Sequence, residues 1–296
     1  MKYSNLLHTI GNTPMIRLDK LLKNKDINLF AKLEGQNPGG SVKDRSALYM
    51  IEQSEKRGEL KQGKVILEAT SGNMGIALAM IGAQKGYEVH IVMSESMSEE
   101  RKSMISAFGA KLILTDKNLG TEGAIDKARK LIENSPHLYW FSNQFNNQDN
   151  VKAHYYGTAS EILNQIPNID YLVAGVGTSG TIMGIANRFK KESPRTKIIG
   201  VFPPGGYQIQ GIQNPKEDFS GEIYNENLID EHFLVSKEDA FAMSKKTAKE
   251  EGLFAGMSSG AALFAATQKA ESLQSGNIVV IIPDRGEKYL STELFT

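Results

Sequence analysis

The sequence contains no cysteine. That absence removes thiolate catalysis, iron–sulfur clusters, disulfide frameworks and cysteine zinc sites together, while saying little about compartment, because a chain without thiols folds in any redox setting. Charge of one sign is also missing: 34 Lys and Arg stand against 34 Asp and Glu. The lysines are spread among acids, so no basic face is offered to nucleic acid or to an anionic membrane. Long hydrophobic runs are lacking as well, and stretches such as Ile76 to Ala83 are far too short to span a bilayer. Met1-Lys2-Tyr3-Ser4-Asn5 has no apolar leader segment, which gives the expectation of a cytoplasmic protein with no nucleic-acid and no membrane partner. The five histidines, His8, His90, His137, His154 and His232, show neither a His-x-x-x-His pair nor carboxylate-flanked spacing, so no metal site is expected.

What is present is length and pattern. At 296 residues, 40% of them hydrophobic, the chain can bury roughly three quarters of its unfolded surface and needs no staple. Short β-branched runs alternate with longer helical patterns, the signature of strands joined by helical crossovers, so the class is α/β with a mostly parallel sheet. Strands are expected at Ile27 to Glu34, Val65 to Ala69, His90 to Met93, Lys111 to Thr115, Tyr171 to Val176, Lys197 to Phe202 and Ile278 to Pro283. Between them, Asn73 to Lys85 carries Ile76, Ala77, Met80 and Ile81 at helical spacing and stops at Gly86, a natural residue just past a helix end. Pro203-Pro204-Gly205-Gly206 reads as a strand-ending loop.

Four loops gather glycine, hydroxyl and amide residues at strand ends or helix starts, where open α/β sheets bind ligands. Asn37-Pro38-Gly39-Gly40-Ser41-Val42-Lys43-Asp44-Arg45 precedes the helical pattern of Ala47 to Glu55; alone it is a turn and a charged helix start. Thr70-Ser71-Gly72-Asn73-Met74-Gly75 follows a strand and opens a helix, so it is either an anion cradle or a simple cap through Ser71 or Asn73. Gly175-Val176-Gly177-Thr178-Ser179-Gly180 matches the dinucleotide G-x-G-x-x-G. The acid that this fingerprint needs at the end of the next strand is missing, since the chain reads Gly200-Val201-Phe202-Pro203-Pro204, and a nicotinamide enzyme is disfavoured. Gly177, Thr178, Gly180 and Thr181 still suit one phosphate group. The helix dipole adds only about 0.3 to 1 kcal/mol per charge and the loop holds no Lys or Arg, so such a phosphate needs a second anchor. Gly256-Met257-Ser258-Ser259-Gly260 spells the hydrolase G-x-S-x-G, but at most Leu253 to Ala255 precedes it as a strand and the last histidine, His232, lies upstream. A serine hydrolase built on Ser258 is therefore the distant alternative.

Taken together and in this order, the loops resemble one family, the fold-type-II pyridoxal-phosphate enzymes, and within it the cysteine synthases (O-acetylserine sulfhydrylases). The likeness begins at Ile10-Gly11-Asn12-Thr13-Pro14 and passes through Gln144-Phe145-Asn146-Asn147 and Gly175 to Gly184. It ends in Ser258-Ser259-Gly260-Ala261 and Asp284-Arg285-Gly286, with Tyr289-Leu290-Ser291-Thr292 similar to the B-type branch. The resemblance implies two open, twisted, mostly parallel sheet domains, as in the tryptophan synthase β chain. One is a smaller, movable substrate-binding domain over 36–146; the other is a larger domain, 1–35 plus 147–296, holding the cofactor phosphate and ring nitrogen.

By the same resemblance, pyridoxal 5'-phosphate is the cofactor and Lys43 forms its Schiff base, then serves as general base on the substrate α-proton. Gly177, Thr178, Ser179, Gly180 and Thr181 hold the phosphate, Asn73 meets the ring oxygen, and Ser258 meets the ring nitrogen, with Ser259 left open for that role. A neutral hydroxyl does not keep the pyridine ring protonated, which favours β-elimination over transamination. Thr70, Ser71, Asn73 and Gln144 bind the substrate α-carboxylate and close the smaller domain over it. The implied reaction is β-replacement on a serine-type amino acid through an α-aminoacrylate, O-acetyl-L-serine plus sulfide giving L-cysteine and acetate, in a homodimer. The chain departs from the family pattern at Met74 in the substrate loop, at Ala159-Ser160, and at Gly211-Ile212-Gln213-Asn214-Pro215, which lacks the arginines of many B-type enzymes. Without those arginines a buried anionic co-substrate would go unpaired. The Met74 thioether gives the alternative reading, in which L-cysteine is the β-substrate, hydrogen sulfide leaves, and serine, lanthionine or cystathionine forms.

Overall fold

The computed structural model describes residues 4–70, 72–207, 209–214 and 221–295. The first half of the chain carries β1 (Met15–Arg17), β2 (Ile27–Leu33), α1 (Lys43–Arg57), β3 (Val65–Ala69), α2 (Asn73–Lys85), β4 (Val89–Ser94), α3 (Glu99–Ala107), β5 (Lys111–Thr115), α4 (Gly120–Asn134) and β6 (Tyr139–Phe141). The second half carries α5 (Gln148–Ala153), α6 (Ala159–Gln165), β7 (Tyr171–Gly175), α7 (Gly180–Glu192), β8 (Lys197–Phe202), β9 (Glu231–Leu234), α8 (Lys237–Glu251), α9 (Met257–Glu271) and β10 (Gly276–Ile282).

Two sheets result, so the α/β class with two mostly parallel sheets holds. One has the order β1-β2-β10-β7-β8-β9 and the other β5-β4-β3-β6. Every pairing is parallel except that of β1 with β2. Central strands are covered on both faces, which is why β3 and β4 are buried from end to end and read in the sequence as mainly apolar runs, interrupted by Glu68 in β3 and by His90 and Ser94 in β4. On the smaller sheet, α1 and α2 residues such as Met50, Ile76 and Met80 pack one face, while Ala124 and Ala128 of α4 cover the other. On the larger sheet, α8 and α9 pack one face, and α7 with α6 packs the opposite face.

The seven expected strands are all present, shifted by no more than two residues at an end. Three were not anticipated: β1, β6 and β9. Each is a sheet edge of only three or four residues. Edge strands need no two-faced apolar run, and β9 shows this plainly, with Leu234 60% exposed. Helix α2 spans the anticipated Asn73 to Lys85 and ends at Gly86, whose φ of 77° places it in the left-handed region that glycine adopts without a Cβ penalty.

Candidate active site

One cavity opens at the carboxyl ends of β3, β7 and β10, between the two sheets, and is lined by Ala69, Ala174, Gly175, Ile281 and Pro283 from those ends. This is the crevice where open α/β sheets place ligands. Into the same cavity come Lys43, Thr70, Asn73, Met74, Gln144, Gly177, Thr178, Ser179, Thr181 and Ser258, residues separated by up to some two hundred positions in sequence. Of the other anticipated residues, Gly180 begins α7 and packs on Asn150 instead of forming cavity wall, and Ser71 lies outside the described residues.

Lys43 is the first residue of α1, and its amine donates to Thr178 Oγ1 at 3.1 Å. The amine therefore meets the 177–181 turn directly. Burial draws its pKa down to about 8, against a smaller opposing pull from the Glu68 carboxylate. A neutral amine is the nucleophilic form, so addition of pyridoxal phosphate to the apo-protein should accelerate with rising pH around a midpoint near 8, well below the ordinary 10.5. Stopped-flow absorbance across pH 6 to 11 checks this, and a midpoint at the ordinary value would show the amine to be solvated.

The 177–181 turn owes its shape to contacts that leave no room for side chains. A Cβ on Gly177 would lie 2.4 Å from Gly211 O, and one on Gly180 would lie 2.3 Å from the Asn150 carboxamide. Ser179, just before α7, takes a left-handed φ of 67°, an unusual conformation for a residue with a Cβ. Thr178 Oγ1 also accepts from Asn150 Nδ2 at 3.2 Å, and Thr181 Oγ1 lies 3.3 Å from His154 Nε2. Beyond them, the first N–H groups of α7 lack partners within the helix, the standard provision for an anion.

Ser258 and Ser259 part company here. Ser258 lines the cavity at the start of α9, whereas Ser259 is fully buried and turns its hydroxyl toward Asp284 O at 3.5 Å. Among the described residues no histidine bonds to Ser258: His154 is committed to Ser46, Thr158 and Thr181. The hydrolase reading thus lacks its base.

Four further groups around the cavity were assigned no role from the sequence, although one of them, Asp284, lies in a motif of the resemblance. Glu68, buried in β3, accepts from the Ser142 hydroxyl and from the N–H groups of Ala69 at 3.0 Å and Gln144 at 3.4 Å. Burial lifts its pKa to about 7, partly offset by those bonds and by Lys43. An acid inside Val65-Ile66-Leu67-Glu68-Ala69 was the available signal. Arg101 of α3 lines the cavity, donates to Gln210 Oε1 and lies over the Tyr289 ring at 4.6 Å. Arg101 is thus a cation of the cavity wall supplied by α3, outside the 211–215 segment whose lack of arginines the sequence showed. Asp284 and Lys288 complete the set, both 1% exposed and both bonded to Asn73.

The donor set fits pyridoxal phosphate. A desolvated amine suits its aldehyde, a glycine-tight helix start its phosphate, a cavity-facing hydroxyl on Ser258 its ring nitrogen and an amide on Asn73 its ring oxygen. Comparison with known proteins agrees. The family model described as "Pyridoxal-phosphate dependent enzyme" matches residues 6–284. The cysteine synthase of Aquifex aeolicus is 46% identical over 300 residues, covering 98% of this chain and 92% of its own. Among solved structures, a cysteine synthase from Entamoeba histolytica superposes with a TM-score of 0.94 at 41% identity, covering 99% of this chain and 90% of that one. A hydrogen sulfide-producing enzyme from Fusobacterium nucleatum gives 0.92 at 38%, covering 97% and 100%.

Proposed function

The chain belongs to the pyridoxal-phosphate dependent enzymes, on the branch of the cysteine synthases, and from that membership we propose that it replaces the acetoxy group of O-acetyl-L-serine by sulfide, giving L-cysteine and acetate. The observation that carries this reading is the Lys43 amine, drawn toward neutrality by burial and held 3.1 Å from Thr178 in the cavity that also contains Asn73, Gln144 and Ser258. The chemistry the cofactor supplies when bound is an electron sink for the substrate's α-carbon. Lys43 Nζ would hold the cofactor at its aldehyde and would serve as the base for the substrate's α-proton. Gly177, Thr178, Ser179, Gly180 and Thr181 hold the phosphate. Ser258 accepts or donates one hydrogen bond at the ring nitrogen without imposing a proton on it, which favours loss of a β-substituent over transamination.

Thr70, Ser71, Asn73 and Gln144 orient the substrate α-carboxylate at the start of α2. Gln144 is well held for this, its N–H bonded to Glu68 and its carbonyl accepting from Asn150 Nδ2 at 2.8 Å. The segment 36–146 acts as the smaller unit that closes on the substrate and excludes water, against a larger unit of 1–35 and 147–296. The reading includes a cytoplasmic setting and a homodimer. For the dimer the supporting feature is the exposed Tyr156 ring, stacked on the half-buried Tyr49 with ring centroids 6.4 Å apart.

Met74 favours a second reading. It is 1% exposed, lines the cavity, and offers a thioether where a hydroxyl would prefer an oxygen-bearing donor. L-cysteine as the β-substrate, releasing hydrogen sulfide, fits that surface, and the likeness to the Fusobacterium enzyme supports it. A product screen by mass spectrometry separates the two: O-acetylserine plus sulfide in one tube, L-cysteine alone in another. Faster formation of cysteine in the first tube is expected; faster sulfide release in the second would reverse the choice of donor.

A further inference from the structure

Asn73 does not stand alone in the cavity wall. Its Oδ1 lies 2.9 Å from the Lys288 ammonium, and its Nδ2 lies 2.7 Å from Asp284 Oδ2. An ammonium only donates and a carboxylate only accepts, so the orientation of the carboxamide is fixed: oxygen toward Lys288, nitrogen toward Asp284. One Nδ2 hydrogen is left uncommitted on a residue that lines the cavity. Both partners are themselves held. Lys288 also donates to Gly39 O at 3.1 Å and Gly40 O at 3.0 Å, in the turn that leads to Lys43, and Asp284 Oδ2 accepts from Tyr289 OH at 2.7 Å. One ammonium thus ties the turn presenting the cavity amine to the amide across from it. Burial lowers the Lys288 pKa to about 8, with Asp284 and Asp44 opposing and Arg101 and Arg285 adding to the effect.

We propose that Lys288 and Asp284 are positioning residues that lock the Asn73 carboxamide as a hydrogen-bond donor toward the ring oxygen of pyridoxal phosphate and so stabilise the ionised form of that oxygen. The inference rests on the reading of Asn73 given above and adds what lies behind it. A freely rotating asparagine could equally present its carbonyl, which would repel an oxyanion; the clamp forbids that choice.

The test uses the holoenzyme, with Asn73→Ala as reference. An ionised ring oxygen absorbs at longer wavelength than a protonated one, so Lys288→Met and Asp284→Ala should each move visible absorbance toward the shorter-wavelength band, as Asn73→Ala does. Each should also raise the pyridoxal phosphate dissociation constant about tenfold, the scale of one hydrogen bond to a charged group. Adding Lys288→Met to Asn73→Ala should shift the band no further, since both act through one amide. A parental band in either Lys288→Met or Asp284→Ala, or fully additive shifts in the double variant, would overturn the assignment. Failure of the functional reading looks different: the parent protein itself would then show no visible band and no cofactor fixed to Lys43 by borohydride. Circular dichroism separates a variant that misfolds, and the two clamp variants remove different partners, so either one that folds decides the matter.

Discussion

Replacing Lys43 with alanine is expected to abolish steady turnover and covalent cofactor retention while leaving the protein folded. General acid–base catalysis is worth about 10² to 10⁴ in rate, and loss of the covalent tether adds to it, so a fall of at least roughly a thousandfold in kcat is expected. Mass spectrometry after borohydride treatment should find pyridoxal phosphate on Lys43 in the parent and none in the variant. The fold should not suffer, because the folded pKa of about 8 lies below the ordinary 10.5. Burying this ammonium therefore costs stability at every pH below about 8, and the cost fades as pH rises toward 10.5. Removing the amine relieves that cost at neutral pH, so a thermal midpoint equal to or above the parent's is expected. Normal activity in the variant would overturn the assignment.

The ordered loops were legible because each must satisfy local chemistry that only a few residue types meet. Gly177 is readable since any Cβ there strikes the Gly211 carbonyl, and Gly86 since its backbone is left-handed. The long strands were legible for the same kind of reason: β3, β4 and β10 are covered on both faces and declare it in apolar runs. The edge strands β1, β6 and β9 carry no such constraint. Asp284 lay in a quoted motif, but its role depends on where α2 brings Asn73, and Lys288 is one lysine in a polar tail until folding sets it among three oxygens. Arg101 was equally silent: its side chain lines the cavity by running through the space that Gly72, at φ 149°, leaves open, with Arg101 Cδ 2.2 Å from where a Cβ would sit. Groups recruited across the chain leave no local pattern to read.

The placement of Lys43 depends in turn on a buried ion cluster two residues further along α1. Arg45 donates through Nε and NH2 to both oxygens of Glu34, at 2.6 and 2.9 Å, and through NH1 and NH2 to both oxygens of Glu161, at 2.6 and 2.7 Å. Lys32 of β2 donates to Glu161 Oε2 at 2.7 Å and to Thr13 O at 2.7 Å. Glu34 is wholly buried, so Arg45→Met would strand its carboxylate without its main counter-charge. Breaking a buried pair from one side costs roughly 3 to 5 kcal/mol, and a drop of that size in unfolding free energy by urea titration is expected. The pH dependence carries a second signature. Burial opposes ionisation of Glu161, but Arg45 and Lys32 outweigh it and hold the carboxyl at about 2 against an ordinary 4.5. Its contribution is therefore fully present above about 4.5 and is lost as pH falls toward 2, giving the parent an acid-side slope that Arg45→Met should flatten. A variant that unfolds at the parental urea concentration, with the parental acid slope, would show that α1 is held by its apolar face alone and that the ion cluster only fills space beneath Lys43.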